Sequence, residues 1–146
     1  VGNGVKGQAA LLQYDAGDVP QIFVDGVHFI PHRNGTVAIG STSERYFDSP
    51  SETDEQLEDL INRARTIMPL LADAPVLKRW AAVRPRAKTR SPILGRYPGK
   101  PGQFIANGGF KIGFGMVPKS AQVMADLVLE EIDTIPAEFS VEANIS

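Results

Sequence analysis

Short, mostly apolar runs of β-prone residues occupy the first third of the chain, and turn-forming residues separate them. The pieces with this extended character are residues 4–14, 21–25, 27–31 and 36–42. Asp25-Gly26 and Asn34-Gly35 separate the last three pieces, and both dipeptides supply the positive φ of tight hairpin turns. The pattern therefore predicts an antiparallel meander.

The hydrophobic period changes to that of a helix in the tract between residues 50 and 69. The apolar residues of one helical face are Leu57, Leu60, Ile61, Ala64, Ile67 and Met68. Thr53 is the predicted N-cap, and Gln56, three residues later, completes a capping box. Pro69 ends the helix. We expect this helix to pack on the sheet.

Strand-like and glycine-rich segments follow one another in the second half of the chain. Residues 74–85 are strand-like, 86–102 are rich in Pro, Arg and Gly, and 102–107 form a short apolar strand. A glycine-rich loop at 108–115 leads into a helix predicted from Pro118 to about Ile132. Its predicted apolar side consists of Val117, Ala121, Met124, Val128 and Ile132. This order of elements predicts an α+β fold.

Composition excludes several classes of protein. The 146 residues contain no cysteine, which rules out a disulfide framework, a thiolate zinc site and a cysteine nucleophile. Lys+Arg 15 against Asp+Glu 17 leaves a net charge of −2, so we expect no nucleic acid or anionic membrane as a bulk partner. No apolar run reaches the roughly 20 residues of a membrane helix. We expect a cytoplasmic protein, and the non-Met start predicts an excised domain or fragment.

The strongest candidate site is the strand, glycine loop and helix at residues 103–131. Glycines let the backbone approach a ligand closely, and the N-terminus of the helix carries partial positive charge. Such an end stabilises negative charge on a phosphate or an electron-rich ring, and Lys111 adds a full charge. A flexible turn between strand and helix is the alternative interpretation.

Arg84, at the end of an apolar strand, is the second candidate, because an arginine can hold a carboxylate through two hydrogen bonds. The alternative is an arginine whose stem packs at the strand end with its head in water. Further cations make residues 84–96 locally basic, as in a solvated loop: Arg86, Lys88, Arg90 and Arg96. His28 and His32 share a strand face without a clear third ligand, so we predict no metal site.

Several motifs then combine into a family pattern. VHFIPHRNGTVAIGSTSE (27–44), WAAVRP (80–85), PILGR (92–96) and NGGFKIGFGMVP (107–118) occur in that order. Together they resemble the C-terminal half of FAD-dependent amine oxidases of the D-amino acid oxidase superfamily, which includes glycine oxidase, sarcosine oxidase and D-amino acid dehydrogenase. The resemblance covers roughly residues 4–131.

The resemblance implies that the chain consists of two segments with different functions. Residues 1–102 would form an antiparallel sheet domain that binds substrate. Residues 103–146 would be the returning C-terminal strand, the flavin-contacting loop and the helix of the FAD domain. The dinucleotide fingerprint G-x-G-x-x-G is absent. The expected partner is therefore an N-terminal FAD-binding half, on the same or another chain, and this chain should be inactive alone.

The resemblance also implies roles for particular residues. Arg84 would pair with the substrate carboxylate, Lys111 would contact flavin, substrate or both, and His28 would line the substrate pocket or be a half-buried structural histidine. The residues expected at the flavin edge are Gly108, Gly109, Phe110, Lys111, Ile112 and Gly113. No residue is predicted to be catalytic. Many relatives carry a D-G-x-P run where this chain has residues 89–92, so the resemblance assigns no contacts to residues 88–91.

The implied reaction is oxidation of the C–N bond of an amino acid or secondary amine acid to an imine, which hydrolyses to an oxo acid. Without cysteine no cysteinyl–flavin bond can form here, so the expected cofactor is non-covalent FAD. Two alternatives stay open. One is a non-redox module that binds a small carboxylate with the same fold, and the other is a subunit of a heteromeric amine oxidase.

Overall fold

The chain divides into two compact units, and the computed structural model describes residues 2–145. We call residues Val5–Val83 the sheet unit. Residues 2–4 together with 84–145 form the loop unit. The division predicted between residues 102 and 103 is a different one, because it separates a substrate-binding segment from a flavin-contacting segment. It stays a prediction.

A five-stranded sheet is the frame of the sheet unit. Its strands are β1 (Gly2–Gln13), β2 (Ile22–Val24), β3 (Val27–His32), β4 (Thr36–Gly40) and β5 (Val76–Ala87). Their order is β2-β3-β4-β1-β5, and the pairs β2–β3, β3–β4 and β4–β1 are antiparallel. The first residues of β1 and the last of β5 belong to the loop unit. The predicted meander and the α+β class are confirmed.

The pairing register places one face of the meander in the core. Phe29 of β3 lies opposite Ile39 of β4, and Ile39 lies opposite Ala10 of β1, and all three side chains are buried. The turn between β2 and β3 consists of Asp25 and Gly26, whose φ angles are +46° and +75°. These left-handed values explain why a two-residue Asp-Gly turn stands there.

Helix α1 (Glu55–Ile67) covers the buried face of this sheet. Its buried residues are Leu57, Leu60, Ile61 and Ala64, which belong to the predicted helical face. They pack in one core cluster with Phe29 and Ile39. A 3₁₀ turn, Pro69–Leu71, follows after Met68. The predicted helix and its packing are therefore confirmed.

The predicted cap at Thr53 is wrong, because Asp54 is the N-cap of α1. Its Oδ1 accepts the backbone N–H of Gln56 at 3.0 Å. Gln56 therefore lies one position too early for the reciprocal bond of a capping box. The same carboxylate accepts Nε2 of Gln8 at 2.7 Å and Nζ of Lys6 at 3.2 Å. These long-range partners favour Asp54 over Thr53 as the cap.

A partly buried polar group, the Lys6 cluster, joins β1 to the start of α1. It consists of Lys6, Gln8, Thr42, Glu44 and Asp54. The Lys6 side chain is 2 % exposed, and its Nζ lies 3.6 Å from Oε2 of Glu44, which is also buried. Gln8 donates to both Glu44 and Asp54, and Thr42 hydrogen-bonds Glu44. A buried cation without these partners would be costly.

The loop unit contains a hairpin and two helices. Its elements are β6 (Ile93–Arg96), β7 (Phe104–Asn107), α2 (Gly113–Leu129) and α3 (Val141–Ile145), with 3₁₀ turns at Phe110–Ile112 and Ala137–Phe139. Strand β6 lies in the stretch rich in Pro, Arg and Gly, and it pairs antiparallel with β7. Its Ile93 packs against Val141 of α3, which gives this short run a core of its own.

Helix α2 begins at Gly113, so the predicted start at Pro118 is wrong. Pro118 lies inside the helix and has no N–H to donate to the carbonyl of Phe114. Val123 and Leu127 are its buried residues. Most of the predicted apolar side faces outward within this unit. We give the name α2 stripe to five exposed apolar positions along the helix, three of which belong to the predicted side: Phe114, Val117, Ala121, Ala125 and Val128.

None of the helices in the described part of the chain has both the length and the apolar character of a membrane-crossing segment.

Candidate functional site

The glycine loop of the loop unit begins with a backbone conformation that only glycine adopts freely. Gly108 follows β7, is buried and has φ +79°. A Cβ added there would lie 3.2 Å from Cβ of Ala87 and 3.4 Å from Cγ1 of Ile93. The loop therefore passes close to the ends of β5 and β6, and a side chain at this position would separate them.

The N-terminus of α2 lies open for an anion. Its N-cap residue, Ile112, makes no side-chain cap hydrogen bond, and the first turn contains no acidic residue. A Cβ added at Gly113 or Gly115 would meet nothing within 4 Å, so flat backbone faces open space there. Free N–H groups and the helix dipole favour negative charge at such an end. These residues fit the electron-rich edge of a flavin.

Strand β5 brings the candidate substrate arginine to the same unit. The backbone of Arg86 pairs with Gly109 in an isolated antiparallel bridge, which joins the end of β5 to the loop. Arg84 lies two residues earlier on β5 and is half-buried. The structure thus places Arg84 and the glycine loop in one compact unit, as a shared site requires.

Phe110 lies between two cations of this unit. Cζ of Arg86 is 5.8 Å from the centroid of its ring, and Nζ of Lys111 is 5.6 Å from the same centroid. Both distances are within the range of cation–π attraction. The sequence interpretation gave Arg86 no role beyond that of a solvated loop. The signal that could have found it is strand alternation, which puts Arg86 on the same face as Arg84.

His28 belongs to the sheet unit and lies exposed on β3, which contradicts the half-buried alternative. Its neighbours across the sheet are Phe23 of β2 and Gly40 of β4. The imidazole centroid lies 4.3 Å from that of Phe23 at an interplanar angle of 31°. His28 therefore stands on the face opposite α1. Among residues 2–145, no group of three or more His, Asp or Glu side chains could hold a metal ion.

A cavity of about 280 Å³ lies in the loop unit between the hairpin and α2. Gly109 and Gly113 of the loop line one side, and Met116 and Met124 line another. Its lining contains no charged residue. A carboxylate buried there would lack a counter-charge, so the cavity is unsuited to the acidic group of a substrate.

Comparisons with known proteins identify the family of the chain. Residues 3–127 match the family model described as FAD dependent oxidoreductase. The chain is 34 % identical over 125 residues to a glycine oxidase of Pseudomonas aeruginosa, covering 85 % of this chain and 34 % of that protein.

Solved structures with the same fold include two enzymes, each 26 % identical with a TM-score of 0.79. For the glycine oxidase of Geobacillus kaustophilus, the match covers 98 % of this chain and 40 % of the other. For the iminodiacetate oxidase of Chelativorans sp. BNC1, it covers 94 % and 39 %. The chain spans between a third and two fifths of the length of these relatives. By the match of residues 3–127, it belongs to the FAD-dependent oxidoreductases of the D-amino acid oxidase superfamily.

Proposed function

We propose that the chain is part of an enzyme that oxidises the C–N bond of an amino acid or a secondary amine acid. The observation that carries this proposal is the joining of two features in the loop unit. The bridge between Arg86 and Gly109 joins the strand that carries Arg84, the candidate for carboxylate binding, to a glycine loop. That loop runs into the uncapped N-terminus of α2.

Arg84 is the residue that we propose for substrate binding. Its guanidinium matches the geometry of a carboxylate and holds it through two parallel hydrogen bonds. Fixing the carboxylate also orients the α-carbon and the amine attached to it. The names of two relatives, glycine oxidase and iminodiacetate oxidase, describe amine substrates that carry a carboxylate. We propose His28, exposed on β3, as a substrate-binding residue of the sheet unit.

We propose that residues 108–113 contact the edge of a non-covalently bound FAD. When bound, the flavin supplies a two-electron acceptor for hydride from the α-carbon. Lys111, the loop N–H groups and the N-terminus of α2 would stabilise the negative charge that develops at that edge.

The remaining chemistry needs no catalytic base from this chain. An amine that binds in its neutral form has a nitrogen lone pair to form the C=N bond as hydride leaves. The nitrogen then releases its extra proton to water. Water adds to the imine carbon and expels ammonia or an amine, which yields the oxo acid. The protein's contribution is orientation and electrostatic stabilisation.

The main nucleotide-binding portion is the expected partner of this chain. We propose that it lies in the same polypeptide, upstream of Val1, and that the complete protein is cytoplasmic. A heteromeric oxidase, with that portion on a separate subunit, is the alternative. The reading frame upstream of Val1 distinguishes the two, because only the first arrangement has it continuous with this sequence.

A direct test is to purify the complete protein and record its absorbance spectrum. We expect flavin bands that bleach without oxygen when a small amino acid or secondary amine acid is added. A complete protein with an intact nucleotide fold that purifies without flavin would contradict the proposal. Flavin that stays oxidised with every amine acid, while small carboxylates still bind, would favour the non-redox module.

A further inference from the structure

Positive charge is concentrated in one segment of the loop unit. Residues 84–125 contain eight Lys or Arg and no Asp or Glu, although the whole chain has a net charge of −2. The segment includes the end of β5, the β6–β7 hairpin, the glycine loop and most of α2. Such a one-signed field raises the local concentration of anions. A single substrate carboxylate accounts for only one of these cations.

Arg86 is the cation of this segment that lies nearest in sequence to Arg84. Alternation along an extended strand puts its side chain on the same face of β5 as that of Arg84, with Pro85 directed to the other face. Both arginines are half-buried. The bridge from Arg86 to Gly109 fixes its backbone beside the loop, so the residue is part of an ordered surface.

The charge of Arg86 is not neutralised by the protein. Among residues 2–145, neither Arg86 nor Lys111 forms an ion pair with a carboxylate. The partner of the Arg86 guanidinium is the ring of Phe110, 5.8 Å away, and the ring of an aromatic side chain attracts a cation without cancelling its charge. A guanidinium carries five N–H donors, and an aromatic ring is no substitute for the oxygen acceptors of an anion.

We infer that Arg86 binds a second carboxylate, and that the substrate is an amino or imino dicarboxylic acid. The Cα atoms of successive residues on one face of a strand are about 7 Å apart. Because arginine side chains are long and flexible, the two guanidinium groups can lie closer together or farther apart than that. Arg84 would hold the carboxylate on the carbon to be oxidised, and Arg86 the distal one. The inference rests on the proposed function and leaves its chemical step unchanged.

The test uses the complete, flavin-loaded enzyme with two substrates that differ by one carboxylate, iminodiacetate and sarcosine. We expect a higher kcat/KM for iminodiacetate. We expect Arg86→Gln to lower the ratio of the two values by about 30-fold, mainly through KM, because a buried charge pair is lost. Arg86→Lys should restore part of that ratio. Lys88→Gln, two residues further along and exposed, is the matched control and should leave the ratio unchanged.

Binding without turnover gives a second readout. Malonate, with two carboxylates, should perturb the flavin spectrum at lower concentration than acetate, and Arg86→Gln should remove most of that difference. Equal use of both substrates by the unaltered enzyme would overturn the inference. So would an equal loss for both substrates in Arg86→Gln with an altered flavin spectrum, since Arg86 would then contact the cofactor. Failure of a flavin-loaded enzyme to oxidise any amine acid contradicts the proposed function as well.

Discussion

The ammonium group of Lys6 lies 3.2 Å from Oδ2 of Asp54, the residue that caps helix α1. A second carboxylate, that of Glu44, lies 3.6 Å away on the buried side. Within the sheet unit, an ion pair therefore connects the first part of β1 to the first turn of α1.

Replacing Lys6 by Met should destabilise the protein by about 3–5 kcal/mol, because Glu44 would remain buried without its cation. Urea denaturation measures the change. Arg79→Gln is the matched control, since its ion pair with Glu58 is exposed (41 % and 54 % for the two side chains). Exposed pairs contribute about 0–1 kcal/mol, so an equal effect of both variants would contradict the buried role of Lys6.

Acid should weaken the fold partly through Asp54. The hydrogen bond from Gln8 is the main cause that lowers the pKa of this carboxyl below its ordinary value, with further contributions from the Gln56 N–H and Lys6. A lowered folded-state pKa stabilises the fold above the unfolded-state pKa, and this stability is lost as pH falls through the folded value. Asparagine is also a good N-cap, so Asp54→Asn should remove the titrating carboxyl and keep the cap. We expect the free energy of unfolding of this variant to fall less steeply as the pH is lowered.

The control for this measurement is Glu58→Gln, because the bond from Arg79 also lowers the pKa of Glu58. Its effect should be smaller, since the Glu58 carboxylate has one exposed side-chain partner. If the free energy of unfolding of Asp54→Asn falls with pH as steeply as that of the unaltered protein, other carboxyl groups cause the loss of stability in acid.

Gly108→Ala should cost more stability than Gly99→Ala. Both glycines have positive φ, +79° and +71°, so both variants incur the strain of a left-handed alanine, about 1 kcal/mol. Only at Gly108 would the new methyl group also meet neighbours, Ala87 and Ile93. Thermal unfolding of the two variants measures the difference, and equal melting temperatures would remove the packing argument.

Arg84→Ala in the complete enzyme should raise KM for amine acids by a factor equivalent to about 2–4 kcal/mol, because a charge pair with the carboxylate is broken. Steady-state kinetics tests this, with Lys88→Ala as the exposed control on the same stretch of chain. Unchanged KM would remove Arg84 from the substrate site.

Lys111→Met should lower the flavin reduction potential, because a cation that stabilises the reduced, negatively charged ring is lost. A spectroscopic redox titration measures the potential. Lys119→Met, on the exposed surface of α2, is the control. A flavin spectrum and potential identical to those of the unaltered enzyme would argue against contact.

The sheet unit was largely predictable from the sequence, because its signals are local. Short β-prone runs and the Asp25-Gly26 turn specify the meander, and the spacing of Leu57, Leu60 and Ile61 specifies α1. The exact cap was not predictable, because the bonds from Lys6 and Gln8 that favour Asp54 come from 48 and 46 residues away.

The loop unit was harder to predict for different physical reasons. Strand β6 has four residues and a glycine at its third position, too short for a clear alternation. The start of α2 lies in a glycine-rich segment with little intrinsic helix propensity, so the proline further along was the stronger signal. Arg86 lies in a run of cations, and its pairing with Gly109 and its contact with Phe110 distinguish it from its neighbours.

The α2 stripe has a practical consequence for anyone who handles this chain by itself. Phe114 is 98 % exposed, and Val117 and Val128 continue the same apolar line along the helix. A helix that is apolar on both its inner and outer sides is typical of an element covered on all sides. Purified alone, the 146 residues should bind hydrophobic dyes and self-associate as concentration rises. Self-association through the α2 stripe, more than unfolding, will therefore limit the concentration at which the isolated segment can be studied.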